Sequence, residues 1–217
     1  MEKVLLIGCG QHCAVVLYNM QAQGLYEAVG IVDVDPNKTG SIIHGKEVLG
    51  DYSPQSLDRI RKKYNVNKFF IAFGAMKHRK KVFNYMIAQG WEPITIIHPN
   101  ATVSAEAKIG KGCLIECGCL ITPNPIIGDN VVINTGSQVN HDNIIGDHVF
   151  IASGVILSGG VSISQNTLLD DGVIVTLGCK VGKNALIGAG SIVTKNIPDD
   201  VIAYGCPCKI VRYNSNI

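Results

Sequence analysis

The chain has 217 residues, enough for one or two domains, and a formal net charge of +2 at pH 7. A charge this close to zero gives no case for binding nucleic acid or an anionic membrane. No apolar run reaches the ~18 residues of a membrane span, and the first residues read as a strand rather than a signal sequence, so the eight cysteines are expected to be reduced thiols in the cytoplasm.

The chain begins with a strand–turn–helix pattern. An apolar strand over residues 3–7 runs into Gly8 and Gly10, and a helix over residues 14–23 follows. Glycines at such a turn expose backbone N–H groups and a helix N-terminus, which favour a phosphate. Cys13 stands where the dinucleotide fingerprint needs a third glycine, so a tight turn without a ligand is an equally good interpretation.

The rest of the first hundred residues reads as a small α/β domain. Residues 40–50 are expected to form a loop with a turn at its end. The other elements are strands over residues 29–32, 68–73 and 93–97, and helices over residues 53–64 and 76–89. Because parallel strands end at one edge of a sheet, the strand ends at Gly8, Asp33 and Gly74 should cluster at the usual ligand position.

From Val103 to Pro198 the sequence repeats every six residues without a break. An aliphatic residue opens each of sixteen repeats, and the position three later is Gly or Asn in thirteen of them, the residues that tolerate positive φ. The position after that is mostly small or β-branched. The pattern predicts a hexapeptide β-helix with three repeats per triangular coil. A β-sandwich fits poorly, because its strands alternate with period two and its loops vary in length.

The cysteines of the repeat read as structural residues. Cys113, Cys119 and Cys179 occupy the small inward position and should be buried. Cys117 with Cys119, and Cys206 with Cys208, lack the paired spacing of a metal site. We therefore expect no metal.

Three positions break the Gly/Asn rule, and they are Glu106, Asp142 and His148. Sites where a local rule fails are candidates for function. His141 lies beside Asp142 on the outward position of its repeat, where a neutral imidazole can act as a general base and the carboxylate can fix its tautomer. The alternative for both histidines is an ordinary surface residue on the wall of the solenoid.

Residues 199–217 leave the six-residue register. Residues 204–209 read as a turn, and Ile210 and Val211 are expected to pack on the last coil. The tail would then cap the solenoid, which solenoid ends require.

Together these motifs resemble the sialic-acid O-acetyltransferase type of hexapeptide-repeat enzymes, which includes bacterial N-acetyltransferases of nucleotide-linked 4-amino sugars. The resemblance covers nearly the whole chain, and its marks are residues 6–12, 30–35, 71–74 with Arg79, 97–99, 134–142 and 205–209. It implies a small Rossmann-like α/β domain over residues 1–98, a left-handed parallel β-helix over residues 99–198 and a C-terminal cap over residues 199–217. The left hand is an exception to the usual crossover rule.

The resemblance also implies site residues and a homotrimer with active sites between subunits. His141 would be the catalytic base and Asp142 its helper. The nucleotide sugar would contact Gly8, Gly10, His12, Asp33, Asp35, Gly74, Arg79 and Asn134. Acetyl-CoA, the co-substrate, would contact Phe150, Gly159, Ala189 and Pro207. The chain departs from its relatives at Gln11, often a glycine there, at Asp142, a glutamate in some, and at Phe150, a histidine in some.

The expected function is acetyl-CoA-dependent N-acetylation of the 4-amino group of a nucleotide-linked amino-deoxy sugar. Such a reaction would belong to the biosynthesis of bacterial surface glycans or glycoprotein sugars. One alternative is O-acetylation of a sialic-acid-like sugar. Acetyl transfer to serine or another small molecule is less favoured, because the α/β domain suits a phosphorylated ligand. A non-catalytic hexapeptide-repeat binding protein is the alternative from another class.

Overall fold

The structure is a computed structural model that describes residues 1–214. It divides into two compact units, one of Met1–Ile96 and one from Ile97 onward. Among the described residues, none of the helices is both long enough and apolar enough to cross a bilayer.

The first unit is a six-stranded sheet with three helices. Its strands are β1 (Glu2–Ile7), β2 (Tyr26–Val32), β3 (Ile42–Ile43), β4 (Lys46–Gly50), β5 (Lys68–Ile71) and β6 (Glu92–Pro93), and its helices are α1 (Gln11–Gln23), α2 (Pro54–Tyr64) and α3 (Met76–Ala88). The strand order is β3-β4-β2-β1-β5-β6, and every pairing is parallel except β3 with β4. Strands buried on both faces, such as the apolar end of β1, suit a parallel sheet.

The segment predicted as a loop over residues 40–50 is instead a β-hairpin, so that prediction was wrong. Its turn is formed by His44 and Gly45, which both have positive φ, at 51° and 73°. Two consecutive residues of positive φ make the tight turn that suits the twist of paired strands. Because histidine is uncommon at a turn position of positive φ, the sequence did not indicate a hairpin here. Val48 is fully buried in β4 rather than exposed in a turn.

The second unit is a parallel β-helix. Its two-residue strands recur along the chain as β7 (Ile96–Ile97), β8 (Thr102–Val103), β9 (Lys108–Ile109), β10 (Leu114–Ile115), β11 (Leu120–Ile121), β12 (Ile126–Ile127), β13 (Val132–Ile133), β14 (Gln138–Val139), β15 (Ile144–Ile145), β16 (Phe150–Ile151), β17 (Ile156–Leu157), β18 (Ser162–Ile163), β19 (Leu168–Leu169), β20 (Ile174–Val175), β21 (Lys180–Val181), β22 (Leu186–Ile187) and β23 (Ile192–Val193). The predicted strand over residues 93–97 is thus two short strands, β6 and β7.

Three sheets form the walls of this prism. The first sheet has the order β24-β22-β19-β16-β13-β10-β7, where β24 is Val201–Tyr204, the second has β23-β20-β17-β14-β11-β8, and the third has β21-β18-β15-β12-β9. One coil is eighteen residues, so Val139 pairs with Leu157 and Leu157 with Val175. The predicted left-handed β-helix is confirmed.

The corners follow the repeat rule. Every residue at the predicted Gly/Asn position from Gly112 to Gly190 has positive φ, and Asp142 and His148 share this conformation with φ of 60°. The aliphatic residues between them are buried in a single core, which also takes in Cys113, Cys119 and Cys179. Asp142 and His148 therefore keep the corner geometry while supplying side chains that glycine lacks.

The C-terminal segment caps the last coil differently from the prediction. Strand β24 adds to β22, and Val201 and Ala203 join the core. Strand β25 (Lys209–Tyr213) pairs antiparallel with β24 on the outside. Ile210 and Val211 are about half exposed, so the prediction that they pack on the last coil was wrong. Strand β25 is the outermost strand of its sheet and pairs with β24, so its side chains lie outside the last coil.

Candidate active site

His141 and Asp142 lie at the corner between the second and third sheets, after β14. The Nδ1 atom of His141 is 2.9 Å from Oδ2 of Asp142. Because a carboxylate can only accept, Nδ1 of the neutral ring carries the proton, and Nε2 keeps its lone pair. The positive φ of Asp142 is part of the corner that brings its short side chain within reach of the ring.

Asp142 is itself held in place. Asn124, one coil earlier, donates from Nδ2 to Oδ1 of Asp142 at 3.2 Å. The hydrogen bond from His141, with the one from Asn124, holds the pKa of Asp142 below its ordinary value. The carboxylate is therefore ionised at neutral pH and stabilises positive charge on the neighbouring imidazole.

Gly159, one coil after His141, supports the imidazole ring. A Cβ atom at this position would overlap Cε1 and Nε2 of the His141 ring, so only glycine lets the ring lie against the wall. The N–H groups of Lys111 and Ser153, at the same point of other corners, donate to the carboxylates of Asp129 and Asp171. The N–H of Gly159 has no such acceptor among the described residues. An N–H donor without a protein partner therefore lies beside the catalytic candidate.

The His141–Asp142 pair is open to solvent, with side chains about 60% exposed. The adjoining third sheet presents Ile126 and Ile144, which are paired neighbours and are 50% and 54% exposed. Leu177, one coil beyond Gly159 on the same corner, is 74% exposed. The corner is thus a polar pair bordered by exposed apolar side chains.

The other predicted residues of the β-helix lie away from His141 in the same chain. Asn134 and Ala189 are on the corner between the first and second sheets, Phe150 is in the first sheet, and Pro207 is in the turn between β24 and β25. The Oδ1 atom of Asn134 is buried and has no partner among the described residues. Of the predicted acetyl-CoA contacts, only Gly159 therefore lies on the same edge of the prism as His141.

In the α/β unit, a cavity of about 320 Å³ lies at the carboxyl ends of the strands. Its lining comprises Gly8, Cys9, Gly10, Asp33, Val34, Tyr52, Phe73, Ala75, His78 and Val82. Gly8 has a φ of 96°, and a Cβ there would press on the Phe73 ring. The structure thus brings together Gly8 and Asp33, as predicted from the strand ends, together with Gly10, and it places Gly74 between the lining residues Phe73 and Ala75.

Two helices begin at this cavity without side-chain caps. Gly10 precedes α1 and Ala75 precedes α3, and neither helix has an acidic residue in its first turn. The first N–H groups of a helix carry a partial positive charge and lack intrahelical acceptors. Two such ends at one cavity suit an anion with several oxygens, such as a diphosphate.

The carboxylate of Asp33 holds the glycine turn in place through hydrogen bonds. It accepts hydrogen bonds from the N–H and Sγ of Cys9, from the N–H of Asp35, and from Nζ of Lys38 at 3.1 Å. Burial raises the pKa of Asp33, but these hydrogen bonds outweigh it and leave the pKa below its ordinary value. Asp35 in turn accepts from the N–H of Asn37. Both carboxylates therefore shape the loop after β2.

His12 and Arg79 are not among the residues that line this cavity. Arg79 is buried and donates from Nη1 to the carbonyls of Ile71 and Phe73, at 2.7 and 3.1 Å. Burial, with the positive charge of Arg79, lowers the pKa of His12 to about 4. His12 is thus neutral at pH 7, and Arg79 fixes the segment that leads into α3.

Sequence reasoning missed several site residues. Asn124 stands eighteen residues before Asp142, so the coil period was a signal that could have found it. Gly159 was predicted only as an acetyl-CoA contact, and the same period could have placed it against the His141 ring. Tyr52 and His78 line the cavity from separate elements and carry no motif. Among the described residues, no group of three or more His, Cys, Asp or Glu is placed to hold a metal ion.

Comparisons with known proteins agree with this architecture. A family profile described as the PglD N-terminal domain matches residues 3–86. GDP-perosamine N-acetyltransferase from Escherichia coli O157:H7 is 34% identical over 86 residues, which are 40% of this chain and 37% of that protein. This match therefore spans only about a third of the curated relative.

Solved structures match over nearly the whole chain. PerB from Caulobacter crescentus, in complex with CoA and GDP-perosamine, is 32% identical with a TM-score of 0.90, over 97% of this chain and 98% of that one. Variants of that enzyme with a histidine replaced by asparagine or alanine are also known with both ligands. The acetyltransferase domain of PglB from Neisseria gonorrhoeae FA1090, in complex with acetyl coenzyme A, is 29% identical with a TM-score of 0.86, over 97% of this chain and 99% of that one. With 32% identity over nearly its full length, the chain belongs to the family of acetyl-CoA-dependent nucleotide-sugar N-acetyltransferases built on a hexapeptide-repeat β-helix.

Proposed function

We propose that this protein transfers the acetyl group of acetyl-CoA to the 4-amino group of a nucleotide-linked amino-deoxy sugar. The observation that carries the proposal is the His141–Asp142 pair resting on Gly159. The α/β unit would bind the nucleotide sugar, and the β-helix would bind acetyl-CoA and hold the catalytic residues. The product would serve the biosynthesis of bacterial surface glycans or glycoprotein sugars.

His141 acts as the general base in this mechanism. The neutral amine attacks the thioester carbonyl directly, and Nε2 takes a proton from the nitrogen as the C–N bond forms. The C–S bond then breaks, and the thiolate of CoA receives a proton from the imidazolium. Asp142 keeps the proton on Nδ1 and stabilises the positive ring between these two steps.

The N–H of Gly159 supplies the oxyanion donor. A carbonyl oxygen gains negative charge during attack, and a fixed backbone N–H stabilises that charge without having to reorient. Gly159 fits this role because its N–H lacks a protein acceptor and its missing Cβ leaves room beside the ring. Loss of one such donor typically costs about 10²–10³ in kcat.

The nucleotide sugar is bound through its diphosphate at the glycine turn. The N-termini of α1 and α3 supply N–H donors, and Gly8 and Gly10 let the phosphates approach the backbone. Asp33 and Arg79 act as supports that hold the turn and the α3 entry in place. His12, Asp35, Gly74 and Asn134 stay predicted contacts of the nucleotide sugar.

A homotrimer completes the acetyl-CoA site. Gly159 lies on one edge of the prism, and Phe150, Ala189 and Pro207 lie along another edge or sheet. A neighbouring copy would bring its second set beside the first, so that one cofactor molecule could contact both. The exposure of His141, Ile126 and Ile144 supports the same arrangement, because a neighbour would cover them and exclude water.

Replacement of His141 tests the proposed base. We expect His141→Ala to lower kcat at least tenfold, because general base assistance contributes about 10²–10⁴-fold. The measurement is release of free CoA thiol from acetyl-CoA in the presence of the amino-sugar acceptor. His148→Asn, at the next corner of the prism, is the matched control and should keep its kcat. Near-normal turnover of His141→Ala would remove the base assignment.

A further inference from the structure

A second cavity continues from the one at the glycine turn. It has a volume of about 440 Å³, shares Tyr52 and His78 with the first cavity, and extends past them to Asp51, Ser53 and Lys81. All of these residues belong to the α/β unit. The two cavities therefore form one cleft along the carboxyl ends of the strands.

The position of this second cavity suits a nucleobase. If the diphosphate occupies the two helix N-termini in the first cavity, the base lies one ribose further along the cleft. Tyr52 offers a half-buried ring between the two cavities, and its backbone carbonyl accepts a hydrogen bond from the Tyr85 hydroxyl at 3.0 Å. The centroids of the Tyr52 and Tyr85 rings are 6.2 Å apart, so the two rings pack against each other. A braced aromatic ring is a common support for a base.

The polar groups of the second cavity include an ionised acceptor and a cationic donor. Oδ1 of Asp51 accepts hydrogen bonds from the N–H and the hydroxyl of Ser53, at 3.1 and 2.7 Å. These bonds hold the pKa of Asp51 below its ordinary value, so the side chain is an ionised acceptor. Lys81, on α3, brings a cationic donor to the same cavity. The cavity thus presents an anchored acceptor and a flexible donor.

This combination matches guanine among the common bases. The guanine edge carries one acceptor, O6, followed by two donors, N1–H and the N2 amino group, and a carboxylate can accept from both donors. Uracil and thymine present a single N–H between two carbonyls, so a carboxylate would face a carbonyl lone pair. Adenine and cytosine present a single amino group beside a ring acceptor. Only guanine pairs two adjacent donors with Asp51 while leaving an acceptor for Lys81.

We propose that the second cavity binds the guanine base of a GDP-linked amino sugar, and that Asp51 selects this base. The inference rests on the proposed function, because it specifies the nucleotide of the sugar bound at the glycine turn. It also assigns different tasks to the two cavities, the first recognising phosphate and the second recognising the base.

Calorimetric titration of the full chain with nucleoside diphosphates tests the selection. We expect GDP to bind at least tenfold more tightly than UDP or dTDP. Asp51→Asn should weaken GDP binding on the order of ten- to a hundredfold, the usual range for losing a paired contact to a base. The same variant should bind xanthosine diphosphate better than GDP, because the new amide N–H donates to the C2 carbonyl of xanthine. Asp58→Asn, on the α2 helix that follows Asp51 in the chain and paired with Lys62, is the matched control and should bind GDP as the unchanged protein does.

The inference is overturned if UDP or dTDP binds most tightly, or if Asp51→Asn keeps its affinity for GDP. It is also overturned if a folded Asp51→Asn protein shows no gain for xanthosine diphosphate. The titration of the unchanged protein decides the point even if the variant fails to fold. Efficient, His141-dependent acetylation of a UDP- or dTDP-linked sugar in place of the GDP-linked one would contradict the guanine assignment and leave the proposed function intact. Asp51-dependent GDP binding without acetylation of any amino sugar would contradict only the proposed function.

Discussion

The imidazole of His141 owes its orientation to three neighbours on one corner of the prism. Asp142 fixes Nδ1, Asn124 anchors Asp142, and Gly159 leaves space for the ring. Asp142 lies in the same coil as His141, whereas Asn124 and Gly159 lie one coil before and one coil after the pair. The eighteen-residue length of a coil therefore sets the positions of these groups around the ring. The chemistry at this corner therefore depends on the regularity of the scaffold.

Gly159→Ala should change the placement of the His141 ring while leaving the stability of the fold nearly unchanged. The added Cβ would displace the His141 ring, so we expect kcat to fall at least tenfold with little change in Tm, since Gly159 does not need positive φ. Gly154→Ala is the opposite case, because its φ is 69° and nothing lies near its Cβ. It should lower Tm and keep kcat. Equal kcat for the two variants would argue against a role for Gly159 in the site.

The low pKa of His12 predicts that the folded protein loses stability as the pH falls. Its folded-state pKa is about 4 and its ordinary value is 6.5, so the unfolded chain takes up the proton first as pH falls. Stability should therefore decrease between about pH 6.5 and 4 and level off below, by about 3 kcal/mol for this group. Denaturant unfolding of His12→Gln should show a shallower loss over this window. An identical pH dependence in both proteins would contradict the burial of a neutral His12.

Much of the β-helix could be predicted from sequence, because its structure is local and periodic. A repeat of six with Gly or Asn at one position dictates both the strands and the corner residues of positive φ, and the exception at Asp142 marked the corner of the candidate site. The hairpin around His44 could not be predicted, since its turn residues are unusual. The cavity walls at Tyr52 and His78 arise where separate elements converge, which no local pattern encodes.

At the scale of elements, the corners are stabilised by stacked polar side chains. Asn130 bonds His148 at 3.0 Å, Asn166 bonds Asn184 at 2.8 Å, and Asn184 bonds Asp200 at 2.7 Å. All five residues have positive φ. His148 therefore belongs to a structural column rather than to the candidate site.

Substitutions at His148 test that assignment. We expect His148→Asn to change the free energy of unfolding by less than about 0.5 kcal/mol, because asparagine tolerates positive φ and continues the column. His148→Val should cost about 1–3 kcal/mol, because a β-branched residue is strained in this conformation. Chemical denaturation measures both. Equal stability of the two variants would show that corner conformation does not limit stability here.

At the scale of the whole molecule, the proposed trimer should depend on the exposed apolar pair of the third sheet. We expect the unchanged protein to have three times the mass of the chain in light scattering, and Ile126→Glu with Ile144→Glu to give monomers. The double variant should lose acetyl transfer and keep nucleotide binding. Lys180→Glu, on the same sheet in β21, is the control and should stay trimeric. An active monomeric wild type would contradict the shared site.

Amide formation on an amino sugar is the reaction proposed for this protein, and the chemical structure of the product identifies the bond that forms. The protein should be incubated with acetyl-CoA and, separately, with UDP-, dTDP- and GDP-linked 4-amino sugars, and the products analysed by mass spectrometry and NMR. We expect one added acetyl group on the 4-nitrogen that mild alkali does not remove. An alkali-labile ester on a hydroxyl, or no acetylated product from any of the three, would contradict the proposed N-acetylation.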